Sequence, residues 1–112
     1  MHLPLVISEN GSLEFYCTLD YAQIDIEPID VRNGEYVIYD ASGRLLEPKI
    51  EVERGIEVVR LVPTSEVREI ELIETLISFF GGLDHDEAVL RTMTSNQLAE
   101  IGRAYAKDRS HR

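Results

Sequence analysis

Apolar residues along the first 62 positions come in short runs broken by turn residues, and beyond residue 65 they recur at spacings of three and four. The change of period predicts strands followed by helices. Leu3 to Ser8 and Ser12 to Cys17 flank Asn10-Gly11, and Leu13, Phe15 and Cys17 alternate with Ser12, Glu14 and Tyr16. This pattern predicts a hairpin with Cys17 on its buried face. Glu35 to Asp40, Arg44 to Glu53 and Gly55 to Val62 are separated by Asp40-Ala41-Ser42-Gly43 and Glu53-Arg54-Gly55, which predicts a meander. Tyr36 and Ile38 would share one face, Val37 and Tyr39 the other, and Arg44 could pair across the turn with Asp40. Pro48 lacks a backbone donor, so an edge, bulge or bend is expected there.

Residues 18–27 admit two readings. Ala22, Ile24 and Ile26 alternate like a strand, whereas Leu19, Ala22 and Ile26 form a helix face behind a Thr18 N-cap. A short helix connecting two hairpin units and covering the sheet is the expectation, with Pro28 ending it.

Between Ser65 and Phe80 the apolar stripe is Val67, Ile70, Ile73, Ile77 and Phe80, widened by Leu72, Leu76 and Phe79. Ile70, Ile73 and Ile77 are expected to pack on the sheet, with Pro63 barring an earlier start and Gly81-Gly82 ending the helix. Asp84 with Glu87, and Thr94 with Gln97, have the spacing of capping boxes, and a last helix is expected over roughly 95 to 107. The fold expected is α+β in one domain, 1–112. About five mainly antiparallel strands lie in 1–62, and the helical part, 63–112, packs on one sheet face.

Composition adds exclusions. The chain carries 44% hydrophobic residues and a formal charge of −10, so nucleic acid and anionic membrane are disfavoured as partners. Its single cysteine, Cys17, permits no internal disulfide, and MHLPLVISENG lacks the basic and apolar regions of a secretory leader. No apolar run reaches 18 residues. A cytoplasmic location is expected.

Catalytic chemistry finds no starting residue. His2, His85 and His111 include no pair at metal-ligand spacing. Asp84-His85-Asp86 puts consecutive side chains in different directions, and Cys17 has the parity of a core residue. No serine stands in G-x-S-x-G and no glycines form a phosphate loop. No catalytic residue, cofactor or metal is therefore expected. The acidic group Asp25, Glu27, Asp30 and Glu35 lacks the calcium-loop pattern. The charge is asymmetric: Arg103, Lys107, Arg109 and Arg112 against Asp108 give the last ten residues +3 and leave −13 on residues 1–102. Such a body favours solubility and steers towards a basic partner, with Tyr16, Tyr21 or Tyr39 as anchors if exposed.

The string EPIDVRNGEYVIYDASGRLL at residues 27–46 resembles a block found in small uncharacterised bacterial proteins, EPIDV-x-NGEY-x-x-YD-x-x-GRLL. The likeness covers about a fifth of the chain, and Ile24 and Asp25 depart from the more helical stretch that precedes the block in those proteins. What it implies is a bacterial source and a shared α+β domain without an attached activity, in a class of small acidic proteins associated with toxin and immunity neighbourhoods. The leading expectation is a non-enzymatic acidic protein-binding module, immunity- or antitoxin-like. Asp25, Glu27, Asp30, Glu35 and Tyr39 would meet a basic protein. The alternatives are a small ligand-binding protein or enzyme with a pocket between sheet and helices, and a homodimer formed by surplus apolar surface at Leu72, Leu76 and Phe79.

Overall fold

The computed structural model describes the backbone of residues 1–110 and the side chains of residues 1–106. Five strands form one antiparallel sheet: β1 (Leu5–Glu9), β2 (Ser12–Tyr16), β3 (Tyr36–Tyr39), β4 (Arg44–Glu53) and β5 (Ile56–Val67), in the order β2-β1-β3-β4-β5. Asn10-Gly11 and Arg54-Gly55 are the two-residue turns of the β1–β2 and β4–β5 hairpins. Between β2 and β3 the chain makes α1 (Leu19–Asp25) and α2 (Pro28–Arg32), and after the sheet come α3 (Glu69–Gly81), α4 (Glu87–Leu90) and α5 (Ser95–Ser110). No helix among the described residues is long and apolar enough to cross a membrane.

The sheet is α+β in class, as its pattern predicts, but it is covered on both faces. On one side Val6, Leu13, Phe15 and Tyr39 meet Leu72, Leu76, Ile77 and Phe80 of α3, Leu90 of α4 and Leu98 and Ala106 of α5. On the other, Leu5, Ile7, Tyr16, Ile38, Leu46, Val59 and Leu61 meet Ala22 and Ile26 of the α1 segment, with Val31 of α2 beside them. Alternation therefore assigns each strand residue to one of two cores rather than to core or water. Tyr16 is accordingly buried, and Cys17 lies just past the end of β2, half-buried.

The α1 segment resolves as a helix because Thr18 caps it, its hydroxyl accepting the Tyr21 N–H at 3.2 Å. Pro28 does not simply end it: proline at the first position of a helix loses only a donor with no intrahelical partner, and Pro28 opens α2. Thr94 and Gln97 form the expected reciprocal box, each side chain accepting from the other's N–H at 3.2 and 2.9 Å. At α4 the cap is Asp86, accepting from Ala88 N–H at 2.9 Å, and Asp84 instead takes a left-handed backbone in the preceding loop.

The α3 stripe keeps Ile77 and Phe80 of the expected one, both buried, and departs from it towards the start. Leu72, Leu76 and Phe80, spaced at four, are fully buried, Ile73 is half-buried, and Ile70 is 78% exposed. The cause is the start: β5 continues to Val67 past Pro63, so the first turn of α3 begins four residues later than the periodicity suggests, and Val67 and Ile70 fall outside the packed face. Leu72 and Leu76, which prompted the homodimer expectation, are consumed inside the chain. Ile70→Ala should change stability by less than about 0.5 kcal/mol in urea unfolding, since no buried surface is lost.

Both strand prolines obey one rule. Leu46↔Pro63, Pro48↔Leu61, Ile50↔Val59 and Val52↔Glu57 are paired positions in one register, and Leu61 N–H points away from β4, to Gln23 Oε1 at 2.9 Å. These are the non-hydrogen-bonded pairs of the β4–β5 ladder. Neither proline removes a bond from it, and Pro48 also lies beyond Leu46, where pairing with β3 ends.

Candidate functional site

The carboxylates singled out in the sequence converge on the end of the sheet where β1, β2 and β3 meet the α1–α2 junction. Glu9 closes β1 opposite Tyr36 of β3, which places it beside Glu35, and α2 lays Asp30 over the same point. One carboxylate oxygen from each of Glu9, Asp30 and Glu35 lies within 4.8 Å of the others, and all three residues are half-buried. Glu27, at the start of α2, and Glu14 of β2 are close enough to add to the field at Glu9.

Side-chain donors hold this group in place. The Tyr16 hydroxyl donates to Asp25 at 2.9 Å, the Tyr36 hydroxyl to Asp30 at 3.2 Å, and the Asn10 amide to Glu35 at 3.0 Å. Asp30 thus rests on one phenol and Glu35 on one amide. Tyr36 is pushed up to about 12 by burial and the nearby Glu9 and Asp30 charges, against a backbone hydrogen bond from Glu27. Partial burial, then the charges of Asp30, Glu35, Glu27 and Glu14, raise the Glu9 carboxyl above its ordinary value. A positive group placed here would reverse that shift.

Among the described residues no lysine or arginine forms an ion pair with Glu9, Glu27, Asp30 or Glu35. The nearest sequence candidate, Arg32, is committed to Glu57 on β5. A hollow of about 230 Å³ bounded by Glu9, Glu14, Tyr16, Asp25 and Tyr36 opens beside the cluster. Oxygen-only donors suit a hard cation, but two of these carboxylates already accept hydrogen bonds and three fall well short of the six to eight oxygens calcium takes. The arrangement suits ammonium or guanidinium groups, which need acceptors and tolerate one shared with a phenol.

Of the sequence-derived residues, Asp25, Glu27, Asp30 and Glu35 are brought to this end of the sheet, and Tyr39 is not. Tyr39 is buried at 3% exposure on the opposite sheet face, its hydroxyl donating to Glu71, so it cannot act as a surface anchor. Of the three tyrosines considered, only Tyr21 is exposed. Glu9 and Glu14 escape a sequence reading because they reach the cluster through strand pairing, and β1 pairs with a strand almost thirty residues away. Arg44 does not pair with Asp40 through its side chain: its N–H donates to Asp40 Oδ1 at 3.0 Å and its guanidinium to Thr64 O at 2.8 Å. Burial acts to raise the Asp40 carboxyl, but hydrogen bonds from Ser42, His2 and Arg44 outweigh it and leave the carboxyl below its ordinary value. Its role is to close a turn. The basic tail lies mostly outside the described side chains, which include Arg103 but not Lys107, Arg109 or Arg112.

A second concavity, about 650 Å³, opens between the β1–β2 hairpin and α3, lined by Ser8, Leu13, Thr75, Ser78 and Phe79 with Glu74. It contributes hydroxyls but no imidazole, thiol or cation. His85 lies elsewhere, against the Phe80 ring at 5.5 Å. Comparison of the chain with protein-family models, curated proteins and solved structures returns no match.

Proposed function

We propose that this chain is a non-enzymatic acidic protein-binding module that presents the carboxylates at the α1–α2 end of its sheet to a basic partner, a role of the immunity or antitoxin kind. The observation that carries this reading is the convergence of Glu9 from β1, Asp30 from α2 and Glu35 from the loop before β3, with no cation of the described chain paired to them. Like charges held this close destabilise the isolated chain, and a partner's lysines or arginines relieve the repulsion. The cleft between hairpin and α3 supports the alternative of a small-molecule carrier, but it lacks the convergent charged groups that the acidic end supplies.

The test is capture from a lysate of the source organism, followed by stopped-flow association with the captured protein. Between 0.05 and 0.5 M salt the Debye length contracts from about 14 to about 4 Å. Association should slow by about tenfold or more over that range. Asp30→Asn with Glu35→Gln should lower the on-rate more than removal of residues 108–112. A rate insensitive to both salt and the double substitution would sink the reading.

A further inference from the structure

The last strand of the sheet leaves one stretch of backbone open in a way the rest of its edge does not. In the β4–β5 register, residues 57, 59, 61 and 63 turn their N–H and C=O groups away from β4, towards the free side. Pro63 has no N–H to offer, and the N–H of Leu61 is taken by the Gln23 side chain of α1. Proline and a covering side chain are the usual means of blunting an edge. Neither reaches Glu57 and Val59, whose N–H groups have no partner strand, and the Val59 carbonyl is met only by the Arg60 guanidinium at 3.5 Å among the described residues. Beside this stretch a groove of about 480 Å³ runs between β5 and the α1–α2 junction, with Ile24, Ile26 and Val58 among its apolar lining and Asp20 and Glu27 on its rim. Ile24 is 80% exposed there. The two cations beside it, Arg32 and Arg60, are already paired with Glu57 and Glu53, so Asp20 and Glu27 are the rim charges that no cation of the described chain balances.

We infer that the edge of β5 at Glu57 to Val59 docks an extended, positively charged segment of a partner protein, which adds to the sheet as a sixth strand. The inference rests on the basic-partner reading above and gives it a binding mode. Main-chain bonds to Glu57 and Val59 would supply affinity, and alternate side chains would enter the groove against Ile24 while basic ones meet Asp20 and Glu27. A second copy of this chain fits less well, because each brings a charge of −10 to the contact.

The probe is a synthetic peptide alternating lysine and valine over seven residues. Its control is the same peptide N-methylated on the amides of one edge, which keeps the charge and removes the strand donors. Amide hydrogen exchange read by NMR should show Glu57 and Val59 protected by the first peptide, and the methylated peptide should bind at least about tenfold more weakly. Glu57→Pro removes an outward N–H at a position of the same parity as Pro63, leaving the β4–β5 ladder intact, and should weaken binding about fivefold to tenfold. Glu57→Gln should keep it within about twofold. Equal binding of both peptides, with shifts confined to Asp30 and Glu35, would overturn strand addition while leaving the acidic surface as the partner site. Absence of β5 protection, or of any binding by the unmodified peptide, also overturns it, independently of how the captured partner responds to Asp30→Asn with Glu35→Gln.

Discussion

Phe15→Ala should destabilise the chain by about 3–5 kcal/mol, the range for truncating a fully buried aromatic ring. Phe15 is 1% exposed and sits where β2, α3 and α5 meet. Its ring stacks on Phe80 at 5.8 Å and 12°, tilts against Phe79 at 5.9 Å, and meets the edge of Tyr105 at 6.2 Å. Loss of the ring removes those contacts together with the buried area and leaves a void that three rigid neighbours cannot fill. A domain of this size has roughly 6–17 kcal/mol in total, so the urea midpoint should fall by about 2 M. Phe15→Leu, which keeps most of the volume, should lose much less. A midpoint shift below ~0.5 M for the alanine variant would show that the α5 end is not held to the sheet through this ring. Gly102 gives the same contact from the other side: a Cβ there would lie 2.2 Å from the Phe15 ring.

Gly43→Ala should cost about 2–5 kcal/mol, for two reasons that add. Its φ of +93° is a conformation that an L side chain rarely adopts, and its missing Cβ would lie 2.6 Å from Glu69 Cα and 2.8 Å from Glu69 N. Both are backbone atoms at the start of α3, so neither can swing aside. The turn is tied there by Arg68 N–H donating to Gly43 O at 2.8 Å, which makes Gly43 the joint between sheet and helix. Gly55→Ala is the control: its φ is also positive, at +79°, but nothing lies within 4 Å of the added carbon. Thermal unfolding should rank Gly43→Ala well below Gly55→Ala, and equal melting temperatures would show that the sheet–helix contact is loose.

The strands were legible because turn chemistry is local: Asn10-Gly11, Gly43 and Arg54-Gly55 mark chain reversals wherever the strands then go. The helix at residues 18–27 was half legible, since Thr18 offered a cap while Ile24 also suited a strand; Ile24 is in fact exposed. Helices on both faces were only faintly legible: the unbroken run Leu5-Val6-Ile7 marks two-sided burial, but alternation in Ser12-Leu13-Glu14-Phe15 points to a single covered face. At α3 only Val67 and Ile70 fall outside the expected face, because Pro63 excludes a helix interior but is tolerated in an edge strand at a position without a ladder bond. For the acidic site, Asp25, Glu27, Asp30 and Glu35 lie close in sequence and emerged by counting charge. Glu9 depends on β1 pairing with β3, and the same pairing sets Tyr39 opposite Val6, in the α3 core rather than at the surface.

The two cores are completed at different moments of synthesis. The core facing α1 and α2 is built entirely from residues 5–61, so it can close once β5 has emerged. Its counterpart on the other face waits for Leu72, Phe80, Leu98 and Ala106, the last of them near the end of the described chain. At ~5–20 residues per second, Val6, Leu13 and Phe15 remain uncovered for several seconds after the hairpin that carries them has left the ribosome. During that interval the nascent sheet shows an apolar surface on one side and a finished one on the other. A chain stalled after β5 but before α3 is therefore the form in which chaperone capture and aggregation are most strongly favoured.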